Sequence, residues 1–172
     1  MDLGLAGKRA LISGSTLGIG RSIAEALAGE GATVIVNGRD PGRLGAAVRE
    51  ISARGVVTGC AADLSTATGA KRLIDFALQD GAVDILVNNV GRFTVKEFFD
   101  IEDAAWQAMF ELNVMSAVRL SRALMLPMLA RGWGRIVFIG SDQSAKTNPS
   151  MAHYAMTKTA LVSIARSLAE RT

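Results

Sequence analysis

The chain is poor in the residues that build several common kinds of protein. Its 172 residues include one cysteine, Cys60, and one histidine, His153. A lone thiol closes no internal disulfide, and neither residue has companions at metal-ligand spacing. A disulfide scaffold and a zinc module are therefore excluded, and no metal is expected. Cys60 is expected as a small buried hydrophobe on a strand, and His153 at a helix surface or pocket rim rather than as a base. Only three prolines occur, Pro41, Pro127 and Pro149, and all suit helix or loop edges. Without a linker, repeat or low-complexity tract, the length fits one domain, residues 1–172. Apolar residues make up 49% of the chain, yet no uninterrupted run approaches the ~20 residues of a membrane span. The opening MDLGLAGKRALISG lacks a charged-then-apolar leader pattern, so a cytoplasmic location with no membrane partner is expected. Charge of one sign is nowhere concentrated. The 19 Lys and Arg are scattered among 16 Asp and Glu, for a net +3, and no aromatic-interleaved basic patch points to nucleic acid.

What the chain does have is a succession of short, β-branched apolar runs at 10–13, 33–37, 56–60, 84–88 and 135–140. Each is too short and too continuous for an amphipathic helix and is bounded by Gly or polar residues, which predicts buried strands. Helical stretches are predicted between and after them at 21–30, 41–54, 68–80, 103–131 and 152–171. Gly31 suits the position just past the first of these, and Pro41 the opening of the second. Such alternation forces parallel pairing through right-handed crossovers, so the expected fold is a three-layer α/β doubly wound parallel sheet. Ligands of such sheets bind beyond the carboxyl ends of the strands, where strand order reverses.

The first strand runs into SGSTLGIGR, with Gly14, Gly18 and Gly20 ahead of a helix. Glycines there allow a pyrophosphate close to the backbone, and the helix N-terminus supplies unpaired N–H groups. The GxxxGxG spacing departs from the common dinucleotide fingerprint, and a tight turn holding no ligand fits the same residues. Asn37 ends the second strand where an acidic residue would take the ribose 2′-hydroxyl of NAD, and Arg39 stands close by. A guanidinium suits a 2′-phosphate, which favours NADP over NAD, although Asp40 beside it weakens the inference. Asp63, Asn88 and Asn89 fall at the ends of the third and fourth strands, as ligand contacts or as turn residues. Ser141 follows the fifth strand, and thirteen residues later comes Tyr154, four before Lys158. Residues four apart share a helix face, so the ammonium can stabilise a phenolate and fit the phenol for general acid–base work. A plain surface pair is the alternative. Asn113 lies inside an apolar stretch of the long helix, where a buried amide needs partners and where tying helix to sheet would serve equally.

Taken together, SGSTLGIG, NNVG, Asn113, Ser141 and the YxxxK of Tyr154 and Lys158 resemble the classical short-chain dehydrogenase/reductase family over essentially the whole chain. The resemblance implies an oxidoreductase that moves hydride between nicotinamide and a carbonyl or secondary alcohol. It implies Tyr154 as general acid/base, Lys158 lowering its pKa and holding the nicotinamide ribose, and Ser141 orienting the substrate oxygen. Asn113 would support a proton-relay water. The cofactor, NADP or else NAD, would be held by Gly14, Ser15, Gly18, Ile19, Gly20, Asn37, Arg39, Asp63, Leu64, Asn89 and Gly91 together with Tyr154 and Lys158. Ser141, Gln143 and Tyr154 would contact a small-molecule substrate, with Asp142, Ser144 and Phe93 on the near wall. A homo-oligomer, dimer or tetramer, is implied through the long helix and the last one. Ser13 in place of the usual Thr and Val90 in place of the usual Ala are departures that should not abolish binding. Family members also run on through a sixth strand, a substrate loop and a seventh strand. The chain is therefore expected to be C-terminally incomplete, with the 135–140 strand left as a sheet edge. A dinucleotide-binding module without turnover is the competing expectation.

Overall fold

The computed structural model describes residues 3–171. Five strands form one sheet: β1 (Arg9–Ile12), β2 (Thr33–Gly38), β3 (Val57–Ala61), β4 (Ile85–Asn88) and β5 (Arg135–Phe138). All pairings are parallel, in the order β3-β2-β1-β4-β5. The helices are α1 (Gly18–Gly29), α2 (Pro41–Ile51), α3 (Ala67–Gln79), α4 (Asp103–Phe110), α5 (Ser116–Ala130) and α6 (Ala152–Ala169).

Side chains on a strand alternate between faces, so a sheet covered on both sides needs apolar residues at every position. On one face Ala10, Ile12, Val34 and Val36 pack with Ala24 and Ala28 of α1 and with Leu44, Ala47 and Ile51 of α2. On the other, Leu11, Ile35, Cys60 and Leu86 pack with Leu73 and Ala77 of α3 and with Leu120, Leu124 and Met128 of α5. Cys60 thus has its expected place. Two helix starts are fixed by capping side chains. Asp40 accepts from Arg43 N at 2.7 Å ahead of Pro41, and Thr66 accepts from Gly69 N at 3.0 Å.

Strand order reverses between β1 and β4, which places the crevice beyond their carboxyl ends. β5 is an edge strand, as expected, with Val137 45% exposed; β3 is the other edge. Two expectations need correction. The single helix at 103–131 is instead α4, a π-helical turn at Glu111–Met115, and α5. The wider turn surrounds Asn113, whose side chain is drawn onto Arg92 and Thr157, and insertions of this kind are common where a helix serves a site. Pro127 lies inside α5 rather than at an edge. Among the described residues no helix is long and apolar enough to cross a membrane, and no group of three or more His, Cys, Asp or Glu is placed to hold a metal ion.

Candidate active site

The turn after β1 is built around hydroxyl and amide side chains. Ser13 Oγ donates to Val87 O at 3.3 Å and accepts from Asn89 N and Val90 N at 2.9 and 3.0 Å, joining the ends of β1 and β4. Asn89 Nδ2 donates to Ser13 O and Gly14 O, both at 2.9 Å. Gly14 and Gly18 have φ of 61° and 59°, a backbone state that glycine adopts without strain. The two glycines differ in surroundings. A Cβ on Gly14 would stand 2.9 Å from Val90 Cα, whereas one on Gly18 would meet nothing within 4 Å. Gly18 therefore borders open space at the start of α1, whose N-cap residue Leu17 makes no side-chain cap.

A cleft of about 430 Å³ opens here, lined by Gly14, Gly18, Ile19 and Gly20 on one side, Asn89 and Gly91 on the second, and Tyr154 and Lys158 on the third. Eight of the residues expected from sequence thus converge on one space. The cleft is completed by Leu17, Val90, Arg92, Phe93, Ile139 and Gly140. Of these, Phe93 was expected, while Ile139 and Gly140 lie at a strand end where only their position beside Ser141 marks them.

Lys158 is 5% exposed, and Nζ donates to Ile139 O at 2.7 Å. It lies 5.7 Å from the centre of the Tyr154 ring. Burial pushes the ammonium's pKa down from the ordinary 10.5. The unfolded chain then binds this proton more tightly than the folded one. Stability contributed at this site should rise with pH between the depressed folded value and the ordinary one. Lys158→Met is expected to flatten that rise, read as thermal midpoint against pH from about 7 to 10; an unchanged slope would assign the pH dependence to other groups.

Asn113 is buried, with Oδ1 accepting from Arg92 N and Nδ2 donating to Arg92 O, both at 2.9 Å, and to Thr157 Oγ1 at 3.1 Å. Its side chain ties helix to loop, and a Cβ on Gly91 would come within 3.3 Å of Oδ1. Ser141 Oγ donates to Asp142 Oδ1 at 3.0 Å and accepts from Gln143 N at 3.2 Å, so the hydroxyl is held by its own turn. Gln143 Oε1 accepts from Asn148 N at 2.7 Å.

Five expected cofactor residues, Ser15, Asn37, Arg39, Asp63 and Leu64, lie away from the cleft. Asn37 is 1% exposed, not facing a ligand: Oδ1 accepts from Gly14 N, and Nδ2 donates to Cys60 O and Ala62 O. It braces the glycine turn against β3, because a buried amide at a strand end must satisfy its own donors. Ser15 is likewise buried, donating to Ile12 O at 2.7 Å and accepting from Asn37 N at 3.0 Å, and Leu64 is in the core. Asp63 is exposed, and hydrogen bonds from Ser65 N and Oγ hold its carboxyl below the usual range, with the Arg39 charge adding to this. Arg39 and Asp63 thus lie on the solvent-exposed surface, outside the lining of the cleft. His153 is corrected more sharply: it is 1% exposed and bonded to Thr94, not at a surface or rim.

With this geometry in place, comparison defines the class. The family model for short chain dehydrogenases matches residues 8–172, and the chain belongs to that family. It is 49% identical over all 172 residues to an uncharacterized oxidoreductase, YvrD, of Bacillus subtilis (strain 168), of which it covers 65%. The crystal structure of L-sorbose reductase from Gluconobacter frateurii, complexed with NADPH and L-sorbose, superposes with a TM-score of 0.96 at 37% identity, covering 99% of this chain and 66% of that one. A 7α-hydroxysteroid dehydrogenase complexed with NADH and 7-oxo glycochenodeoxycholic acid superposes with a TM-score of 0.92 at 36% identity, covering 97% and 66%. The chain thus spans about two thirds of the length of these relatives.

Proposed function

We propose that this chain carries the cofactor and proton-transfer half of an NADP-preferring oxidoreductase acting on a carbonyl or secondary alcohol. The observation that carries the reading is the convergence of Tyr154, Lys158 and the Gly14–Gly20 turn on one cleft where strand order reverses. The cleft suits a dinucleotide because the φ of Gly18 and the open space beside it leave the backbone approachable at a helix start. When bound, the nicotinamide supplies the hydride for carbonyl reduction and accepts it in alcohol oxidation.

The chain's own residues move the proton. Tyr154 Oη donates its proton to the carbonyl oxygen as the C–H bond forms, and takes it back in the reverse direction. The Lys158 ammonium favours the phenolate by charge and offers N–H donors to a ribose hydroxyl. Ser141 exchanges its bond to Asp142 for one to the substrate oxygen, and the Asn113 turn supports the proton's onward path to water. Assembly as a dimer or tetramer belongs to the same reading, supported by Phe110, Leu126 and Leu129, which α4 and α5 leave exposed.

NADP is favoured by Arg39 at the outer rim, where β2 ends without an acidic residue. The L-sorbose reductase is complexed with NADPH and the 7α-hydroxysteroid dehydrogenase with NADH, so the choice calls for a direct test. Loss of one charge-assisted contact is worth roughly tenfold in affinity. Arg39→Glu is accordingly expected to raise KM for NADPH by about tenfold or more while leaving NADH use nearly unchanged. Equal effects on both cofactors would overturn the preference. The competing reading, a dinucleotide-binding module without turnover, is favoured by the engagement of Ser141 with Asp142. NADPH binding without oxidation across a panel of ketones would establish it.

A further inference from the structure

The segment 91–97 has no regular secondary structure, yet its even-numbered residues are fastened to the body of the molecule. Arg92 is held through both backbone groups by Asn113. Thr94 Oγ1 is 2.7 Å from His153 Nε2, and Lys96 N donates to Ser150 O at 2.8 Å. The whole segment is exposed, and the intervening Phe93 and Val95 are 63% and 68% so. Phe93 meets Tyr154 with ring centres 5.9 Å apart at 57°. The segment is thus a strap laid across the substrate side of the cleft.

His153, its middle anchor, is the residue immediately before Tyr154. The imidazole is buried, its ring centre 5.8 Å from that of Trp106 with the planes at 64°, and Nδ1 has no hydrogen-bond partner. Burial, with the Arg92 and Lys96 charges beyond, pushes its pKa down, so the ring is neutral near pH 7. A neutral imidazole has one N–H. Placing it on Nε2 leaves only a lone pair unmatched at Nδ1, whereas the other tautomer would bury an orphan donor, the rarer situation. His153 therefore donates to Thr94. Phenylalanine would fill the same space against Trp106 with no unmatched nitrogen. What the imidazole adds is the bond to the strap.

We propose that His153 is a positioning residue which, through Thr94, holds Phe93 against Tyr154 and so fixes the substrate wall of the cleft. The proposal rests on the oxidoreductase reading for its catalytic meaning, and its test separates the two. Amide exchange of residues 92–97 is measured by mass spectrometry in wild type, His153→Phe, Thr94→Val and the double variant, with His153→Gln and Thr94→Ser as conservative replacements. Removing one hydrogen bond is expected to speed exchange in 92–97 about tenfold in His153→Phe and Thr94→Val, with no greater effect in the double variant. Exchange at 14–20 should be unchanged. Thr94→Ser, which leaves the core untouched, should stay within about threefold of wild type, and so should His153→Gln. In ketone reduction the two disruptive variants should raise KM about tenfold and leave kcat and NADPH affinity within about threefold. Wild-type exchange in Thr94→Val, equal loosening in Thr94→Ser, or additive losses in the double variant would overturn the proposal. If wild type reduces no ketone, the oxidoreductase reading fails, while the exchange pattern still decides what His153 does.

Discussion

Tyr154→Phe is expected to lower ketone turnover by roughly 10²- to 10⁴-fold, the range supplied by a positioned general acid. The substitution removes only a hydroxyl. The ring that meets Phe93 at 5.9 Å remains, and so does the glycine turn across the cleft. NADPH affinity, followed by the change in nicotinamide fluorescence, should therefore hold within about threefold. The loss should fall on kcat, because proton transfer contributes in the transition state and not to ground-state binding. Turnover near wild type would remove Tyr154 from the chemistry, whatever its place in the cleft.

Gly20→Ala is expected to do comparable damage by a different route. Gly20 is a helical residue, and alanine there would ordinarily help the helix. Its Cβ, however, would stand 2.4 Å from Asn89 Nδ2 and 2.7 Å from Gly14 O. Asn89 would have to give up its bonds to Ser13 O and Gly14 O, which join the two strands at the floor of the cleft. Overpacking and two lost hydrogen bonds together cost about 2 to 5 kcal/mol, read as a fall in the urea midpoint. Cofactor affinity should fall with it by at least about tenfold, since the displaced groups border the cleft. Gly18→Ala is the control. Its Cβ meets open space, so only the strain of a positive φ remains, about 1 kcal/mol. Equal losses in the two variants would remove the argument from Asn89.

The order of strands and helices was legible because apolar runs of four to six residues alternate with longer stretches, and neither period can be mistaken for the other. The place of the cleft was legible where a motif coincides with a strand end, as at Gly14 and Asn89, and where a four-residue spacing puts Tyr154 and Lys158 together on α6. Legibility failed where a polar residue at a strand end faces inward. Asn37 has the position of a ligand contact and the surroundings of a core residue, and a one-residue change of facing is invisible without the β2–β3 register that pairs it with Cys60. His153 failed for a related reason: α6 is apolar on more than one side, and burial there depends on α4, far away in sequence. The π-helical turn at Glu111–Met115 left no mark in the residue pattern, since it arises from what Asn113 bonds to in the 91–97 strap and α6.

The reversal between β1 and β4 has a thermodynamic side. Of the sheet's two halves, one carries the glycine turn and the other the Asn89–Gly91 corner, and they meet along a ladder of only three residue pairs. A ligand lying in the cleft touches both halves at once and so acts as a clasp across the seam. Because it binds the assembled seam and not the separated halves, the share of chains that are folded must climb with the ligand's concentration. Holding a ligand in that cleft and holding itself together would be, for this chain, one coupled equilibrium.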